Sequence, residues 1–315
     1  MSGGLPFLPA TASMAAHELN ILFAALLAIT GAVLGLVVLL LLTFCIRYRK
    51  GRETVDRARR GTKSWRWEIS WTTASFIIFL GLYAWGADLY LREHEPDGAA
   101  SEIYVVGKQW MWKVEHPDGQ REINALHVAL GRPVRLVMAS EDVIHGFYVP
   151  AFRLKQDVVP GRYVTMSFTP TKVGNFRLFC SQFCGVDHAA MLGSVFVMTQ
   201  GDYQRWLSQN AMTGTLATDG GALFRHLGCS GCHATSSTVK APSLNALYGH
   251  PVVLRDGSVL IADENFIRDA ILQPRKFLPK GYEAIMPSFA GQVDEEGVVS
   301  LVAYIKSLSK QAPSP

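Results

Sequence analysis

The chain has 315 residues, 49% of them hydrophobic, with a positive mean hydropathy. That is long enough for two or three domains and too apolar for an ordinary soluble protein. The formal net charge of +4 is too small to argue for a nucleic-acid partner. Of the five cysteines, Cys180 and Cys184 form one close pair and Cys229 and Cys232 another, each with a histidine beside it, which suits metal or cofactor sites better than a disulfide framework.

Residues 19–46 are nearly all apolar, with no charge after Glu18. About 20 such residues cross a bilayer core. A second run, 71–91, is charged only at Asp88 and has aromatic ends suited to membrane interfaces. Two buried core helices are the competing reading, weaker for the first run than for the second. Between the runs, residues 47–70 carry nine Lys/Arg against three acids, a net of +6, so the rest of the chain nets −2. Such an excess marks a cytoplasmic loop and places both termini outside. Residues 1–18 hold no Lys or Arg and so lack the basic start of a secretory signal. Cys45, near the end of the first run, reads as a small apolar residue.

From 102 to 199 the pattern changes to short runs of β-formers between Gly, Pro and Asp turns: 102–114, 133–140, 163–170, 175–180 and 193–199. This spacing predicts an all-β sandwich. Within it, Cys180, Cys184, His188 and Met191 fall in one twelve-residue loop. Thiolate, thioether and imidazole together favour copper. A sandwich supplying one histidine from a distant strand, here His145, and Cys, His and Met from a later loop has the blue-copper plan. The second thiolate allows two bridged coppers in place of one. A disulfide between Cys180 and Cys184 is the alternative in an oxidising compartment; the offsets of His188 and Met191 argue against it. His17, His94, His116, His127, His226 and His250 lack such company and read as surface or structural histidines.

These segments, from the first apolar run to about residue 199, resemble subunit II of cytochrome c oxidase, whose Cys-Ser-Glu-x-Cys-Gly-x-x-His-x-x-Met loop carries the binuclear CuA centre. The resemblance implies a cupredoxin-like domain with copper ligands at His145, Cys180, Cys184, His188 and Met191, and a main-chain carbonyl at Gln182. Gln182 departs from the family's Glu, whose carboxylate also helps bind magnesium against subunit I. A neutral oxygen suits that hard ion less well, which puts the magnesium site in question. Trp110 and Trp112, expected on one face of a strand, match a Gln-Trp-x-Trp segment of the family, in which the position of Trp110 lies near where electrons enter. Glu68, before the second apolar run, matches a family position at the cytoplasmic mouth of a proton path.

Residues 200–220 pass from a short amphipathic piece to a polar linker. Cys229-Ser-Gly-Cys232-His233 then carries the Cys-x-x-Cys-His signature of c-type haem attachment. A redox dithiol or half a zinc site competes, but no further cysteine pair remains for a Cys-rich zinc site. Pro242 follows where a small cytochrome c has a proline carbonyl that fixes the histidine ligand. Met286, before Pro287, sits where that fold places its second axial ligand; Met212 is the rival and lacks the loop context. Residues 294–308 show helical apolar spacing. The stretch 221–308 is similar to a class I cytochrome c.

The expected architecture is therefore a two-helix transmembrane hairpin (1–95), an all-β cupredoxin-like CuA domain (96–200), a linker (201–220) and an all-α cytochrome c domain (221–315). The resemblance implies electron entry into a proton-pumping haem-copper oxidase of the caa type in a bacterial plasma membrane. The donor would be cytochrome c or a respiratory complex, the partners subunit I and other oxidase subunits. The CuA subunit of a related reductase, such as a nitric oxide reductase, and a membrane copper chaperone are the rival readings. The two apolar runs, Met191 and the haem motif weigh against the chaperone.

Overall fold

The computed structural model describes residues 8–50, 65–94, 100–210, 214–234, 237, 239 and 241–311. The chain divides into two compact units, one of Met14–Glu95 and one of Met1–Ser13 with Pro96–Pro315. The first unit is two helices, α1 (Met14–Arg47) and α2 (Trp65–His94), both long and apolar enough to cross a membrane. Their apolar side chains are exposed along most of their length, as suits contact with lipid or other helices. Most of the basic loop expected to be cytoplasmic (51–64) and the side chain of His94 lie outside the described residues.

The second unit opens with a β-sandwich. Its strands are β1 (Ser101–Lys108), β2 (Met111–Glu115), β3 (Arg121–Ile123), β4 (Ala125–Ala129), β5 (Val134–Ser140), β6 (His145–Val149), β7 (Leu154–Val158), β8 (Val164–Phe168), β9 (Gly174–Cys180) and β10 (Leu192–Met198). One sheet has the order β3-β2-β1-β5-β8 and the other β4-β10-β9-β6-β7. The β1–β5 and β4–β10 pairs are parallel. The inward residues of each strand, such as Ile103, Val105, Leu136, Met138, Phe147 and Leu178, form one core. The segment before α1 joins this unit: Ala12 N–H donates to Ala151 O, and Thr171 N–H donates to Ala12 O, each at 2.9 Å.

The expected strand across 102–114 is corrected. The chain reverses at Gln109-Trp110, and β1 and β2 pair antiparallel with Lys108 opposite Met111. Trp110 therefore lies in the turn, while Trp112 is fully buried on β2. The two do not share a strand face.

After β10 come α3 (Gln200–Gln209), α4 (Leu216–His226), the short α5 (Ser230–His233), a hairpin of β11 (Pro251–Val253) and β12 (Val259–Ile261), α6 (Glu264–Leu272) and α7 (Glu295–Gln311). The third part thus carries a hairpin in addition to the expected helices. The stretch read as linker is helical at both ends. Thr199 caps α3, Thr215 closes a capping box on α4 and Asp263 caps α6, each satisfying amides that a helix start leaves open.

Helices α4 and α7 cross at a glycine. A Cβ added to Gly220 would stand 1.9 Å from Ser300 O and 2.9 Å from Tyr304 Cβ. Gly220→Ala should therefore separate the helices and lower stability by ~2 kcal/mol or more. Urea unfolding of the variant at wild-type stability would contradict this close crossing.

The outer faces of β1 and β5 are also buried. Tyr104, Val106, Val137 and Ala139 point away from the sandwich interior and pack in a second core with Phe266, Ile267, Val298, Val302 and Ile305. Beside this contact, Lys306 Nζ reaches Glu102 (2.5 Å) and Glu264 (2.9 Å), and Arg135 reaches Glu102 (2.7 Å) and Glu264 (3.1 Å). Burial alone would raise the Glu264 carboxyl. Lys306, the Tyr248 hydroxyl and Arg135 outweigh it and hold that carboxyl down at about 2.

Because the folded value is depressed, Glu264 contributes stability that is present above the ordinary carboxylate value of 4.5. That contribution is lost as pH falls toward 2 and amounts to ~3 kcal/mol. Glu264→Gln should thus be less stable than wild type at pH 7 and converge on it only near pH 2. A gap of constant size across this range in denaturant melts would exclude the linkage.

Candidate metal and cofactor sites

The end of β6, the end of β9 and the loop 181–191 converge at one edge of the sandwich. His145 opens β6 and Cys180 closes β9, two strands that pair directly through Phe147 and Cys180. Cys184 and Met191 are buried in the loop between β9 and β10, and His188 begins a 3-10 turn before Met191. The sulfur of Cys180 stands 3.7 Å from that of Cys184, 3.9 Å from His145 Nδ1 and 3.2 Å from the Gln182 carbonyl oxygen. Cys184 Sγ stands 3.4 Å from His188 Nδ1 and 3.8 Å from Met191 Sδ. All six groups expected from the sequence are together.

Both cysteines are free. Their separation far exceeds the ~2.05 Å of a disulfide. Their environments differ. Burial would raise the Cys180 thiol, but hydrogen bonds from His145 and the neighbouring backbone bring it down to about 6. Burial and the neighbouring Cys180 push Cys184 up to about 12. Two cysteine sulfurs, two imidazoles, a thioether and a carbonyl are a donor set that fits soft or borderline cations such as copper.

Supporting contacts hold this set. Asp142 Oδ1 lies 2.8 Å from His145 Nε2. A carboxylate there holds the ring through Nε2 and turns Nδ1 toward the sulfurs. The ring also packs edge-on against Trp112 at 5.9 Å. Gln109 Nε2 (2.8 Å) and Trp110 Nε1 (3.2 Å) both donate to the Cys184 carbonyl. A Cβ on Gly185 would lie 2.9 Å from Gln109 Nε2 and 3.3 Å from Trp110, so glycine lets the two side chains close over the loop. The Gln182 amide donates to Asp157 Oδ2 at 3.1 Å. The supporting roles of Asp142 and Gln109 are absent from the sequence reading. Asp142 sits three residues before His145, a spacing that has meaning only once the turn is folded.

The second site lies among α4, α5, α6, α7 and the loop 274–289. A cavity of about 770 Å³ is lined by Cys229, Cys232, His233, Met286 and mainly apolar neighbours, including Phe266, Leu301 and Ile305. That volume and lining suit a drug-sized or larger apolar ligand. His233 Nδ1 is 2.9 Å from Pro242 O. Its Nδ1 proton is therefore spent on the carbonyl, and Nε2 remains as the ligating nitrogen. Two free thiols, an oriented imidazole and a thioether on one apolar cavity are a donor set that fits covalent haem. Met212 lies outside the described residues.

Other expected residues are elsewhere. Glu68 is in the first turn of α2, within the other unit. His116 Nε2 and His127 Nδ1 bracket the Glu122 carboxylate at 2.8 and 2.5 Å. Trp206 stacks on His127 at 4.5 Å, which makes these two structural histidines. Among the described residues, His145, Cys180 and Cys184 are the group of three His, Cys, Asp or Glu ligand atoms close enough to share one ion.

A family model described as "Cytochrome C oxidase subunit II, periplasmic domain" matches residues 121–197. Cytochrome c oxidase subunit 2 of Candida albicans is 30% identical over 210 residues, covering 58% of this chain and 78% of that protein. Cytochrome c oxidase subunit 2 of Thermostichus vulcanus is 38% identical over 125 residues, 40% of this chain, and the match spans 38% of that relative's length. The crystal structure of the periplasmic domain of subunit II of the Bradyrhizobium japonicum cytochrome oxidase is 30% identical. It covers 36% of this chain and 95% of its own, with a TM-score of 0.35. With the match to most of the Candida protein, the chain belongs to the cytochrome c oxidase subunit II family.

Proposed function

We propose that this chain is the subunit through which electrons enter a haem-copper terminal oxidase. They would arrive at a covalent haem c, pass to a binuclear CuA centre and leave for subunit I, where oxygen is reduced to water with proton pumping. The carrying observation is the cluster of two free thiols, two imidazoles, a thioether and a carbonyl around the 3.7 Å sulfur pair. When bound, the copper pair and the haem supply one-electron transfer.

The chain's own residues do the rest. Cys180, Cys184, His145 and His188 would hold the metals, with weaker support from Met191 and the Gln182 carbonyl. Asp142 keeps the His145 ring in register, and burial of the sulfurs excludes water. Cys229 and Cys232 would anchor the haem, and His233 and Met286 would hold its iron. Methionine ligation would keep the haem potential high enough to accept electrons. Trp110, bonded to the copper loop, would sit where electrons enter.

The docking of residues 8–13 on the sandwich supports an orientation with the N-terminus and the sandwich on one side of the membrane. That side would be extracytoplasmic, with Glu68 at the cytoplasmic end of α2, near a proton path. Subunit I, other oxidase subunits, the lipid bilayer and a donor such as cytochrome c would be the partners. At Gln182 the side-chain nitrogen donates to Asp157, and a neutral amide oxygen stands where magnesium would call for a carboxylate.

The test is to produce the full chain with haem-maturation machinery, load copper, and record optical and electron paramagnetic resonance spectra. One c-type haem with a mixed-valence two-copper signal is the expected result. Haem without that signal would sink the copper assignment; the copper signal without haem would sink the haem assignment.

A further inference from the structure

The haem-binding half of the larger unit follows α3 and packs back on the outer face of β1 and β5. Across that contact lies a ring of four charges. Glu102 and Arg135 come from β1 and β5, and Glu264 and Lys306 from α6 and α7. Each base touches both acids, at 2.5 to 3.1 Å, so the signs alternate around the ring and its formal charge is zero. One tyrosine from each half closes it. Tyr104 OH donates to Glu102 and Tyr248 OH to Glu264, both at 2.6 Å. All four charged side chains are 25% exposed or less.

Sliding the halves by one residue would break the alternation and set like charges together in a buried place, where complementarity governs register more than affinity. The contact is also broad. Tyr163 N–H donates to Asn265 Oδ1 at 2.7 Å, Arg268 donates to Gly161 O at 2.7 Å, and Lys113 pairs with Glu296 at 2.5 Å. Swinging the haem-binding half away would expose Tyr104, Val106, Val137 and Ala139 on β1 and β5 together with the ring.

We propose that the Glu102–Arg135–Glu264–Lys306 ring is a registration lock, and that electrons cross within the chain between halves held seated by it, without an excursion of the haem-binding half. The surface is the outer face of β1 and β5, its partner is the chain's own α6–α7 face, and the four charged residues act as positioning residues. The electron-transfer part rests on the proposed function; the seating does not.

The test uses the full chain with both groups loaded and reads two quantities. Hydroxyl-radical footprinting with mass spectrometry measures exposure of Tyr163, buried at the contact and outside the ring. Rapid mixing measures copper reduction after haem reduction. Lys306→Glu, which puts a third acid against Glu102 and Glu264, should raise Tyr163 oxidation several-fold. It should also slow the internal step by about tenfold or more, as misplacement of reacting groups does. Lys306→Arg should match wild type in both readouts. If the haem spectrum shows that Lys306→Glu has not folded, Glu102→Gln carries the same comparison from the other half. A wild-type footprint in the disrupted variants would overturn the lock. An exposed Tyr163 with an unchanged rate would overturn seated transfer. A chain that takes up neither group would still show the footprint contrast, and then the functional reading falls while the lock stands.

Discussion

Replacing Cys184 by serine is expected to abolish the mixed-valence two-copper signal and reduce copper binding to about one ion or fewer per chain. The serine oxygen is a hard, poorly ionised donor that does not bridge soft metals as a thiolate does. Losing an outer-shell partner alone costs about 10–100-fold in metal affinity, so loss of a bridging ligand should exceed ~100-fold. Cys184 also stands against His188 and Met191, so its removal detaches both from the remaining sulfur. Copper analysis and electron paramagnetic resonance on the purified full chain decide the matter. A retained two-copper signal would mean that Cys184 is not a bridge. The same variant should leave the haem spectrum intact, because Cys229, Cys232 and His233 belong to a separate cavity.

The largest effect on stability is expected at Arg268. Its guanidinium makes two bonds of 3.0 Å to the Glu295 carboxylate, and both side chains are under 10% exposed. It also donates to Gly161 O, tying α6 to the turn before β8. Arg268→Ala leaves a buried carboxylate without its partner, a loss of ~3–5 kcal/mol. That corresponds to a fall in Tm of about 10 °C for a unit of this size. Arg268→Met with Glu295→Leu should recover most of the loss, since no buried charge then remains unpaired. Thermal unfolding by circular dichroism checks both. A double variant no better than the single one would show that packing, not the ion pair, sets the cost.

Much of the candidate copper site was legible because its donors are unusual residue types at short offsets. Cys180, Cys184, His188 and Met191 lie within twelve residues, and few other chemistries need that set. His145 was harder, since 35 residues separate it from Cys180; the β6–β9 pairing brings them together. Asp142 and Gln109 could not be read. Aspartate and glutamine are common in turns, and their work depends on which group the folded turn faces. The turn at Gln109-Trp110 was missed for a related reason. Lys-Gln-Trp-Met holds no glycine, proline, asparagine or aspartate to announce a reversal. The turn is held by long-range bonds from Gln109 N–H to Asp142 (2.8 Å) and from the two side chains to Cys184 O.

Helix α4 shows the same limit. Its two adjacent glycines and polar start lower helix propensity, so the stretch read as linker. Yet those glycines are what let α7 approach so closely. The runs in β1 and β5 held more apolar residues than a half-buried strand needs. The second burial face explains the excess, because Tyr104, Val106, Val137 and Ala139 lie under α6 and α7.

Local chemistry and local periodicity were thus determined by the sequence alone: two apolar helices, a β-rich middle, a sulfur-rich metal loop, a haem attachment motif and a closing amphipathic helix. Each depends on residues near one another along the chain. The tertiary structure alone decided which residues meet across long separations. It brought His145 to the thiols, set Asp142 behind it, turned Trp110 onto the loop 181–191 and packed α6 and α7 on the outer sheet face beside four paired charges. Those outcomes follow from strand pairing and from the burial of charge and apolar area over distant segments, which no short window of sequence encodes.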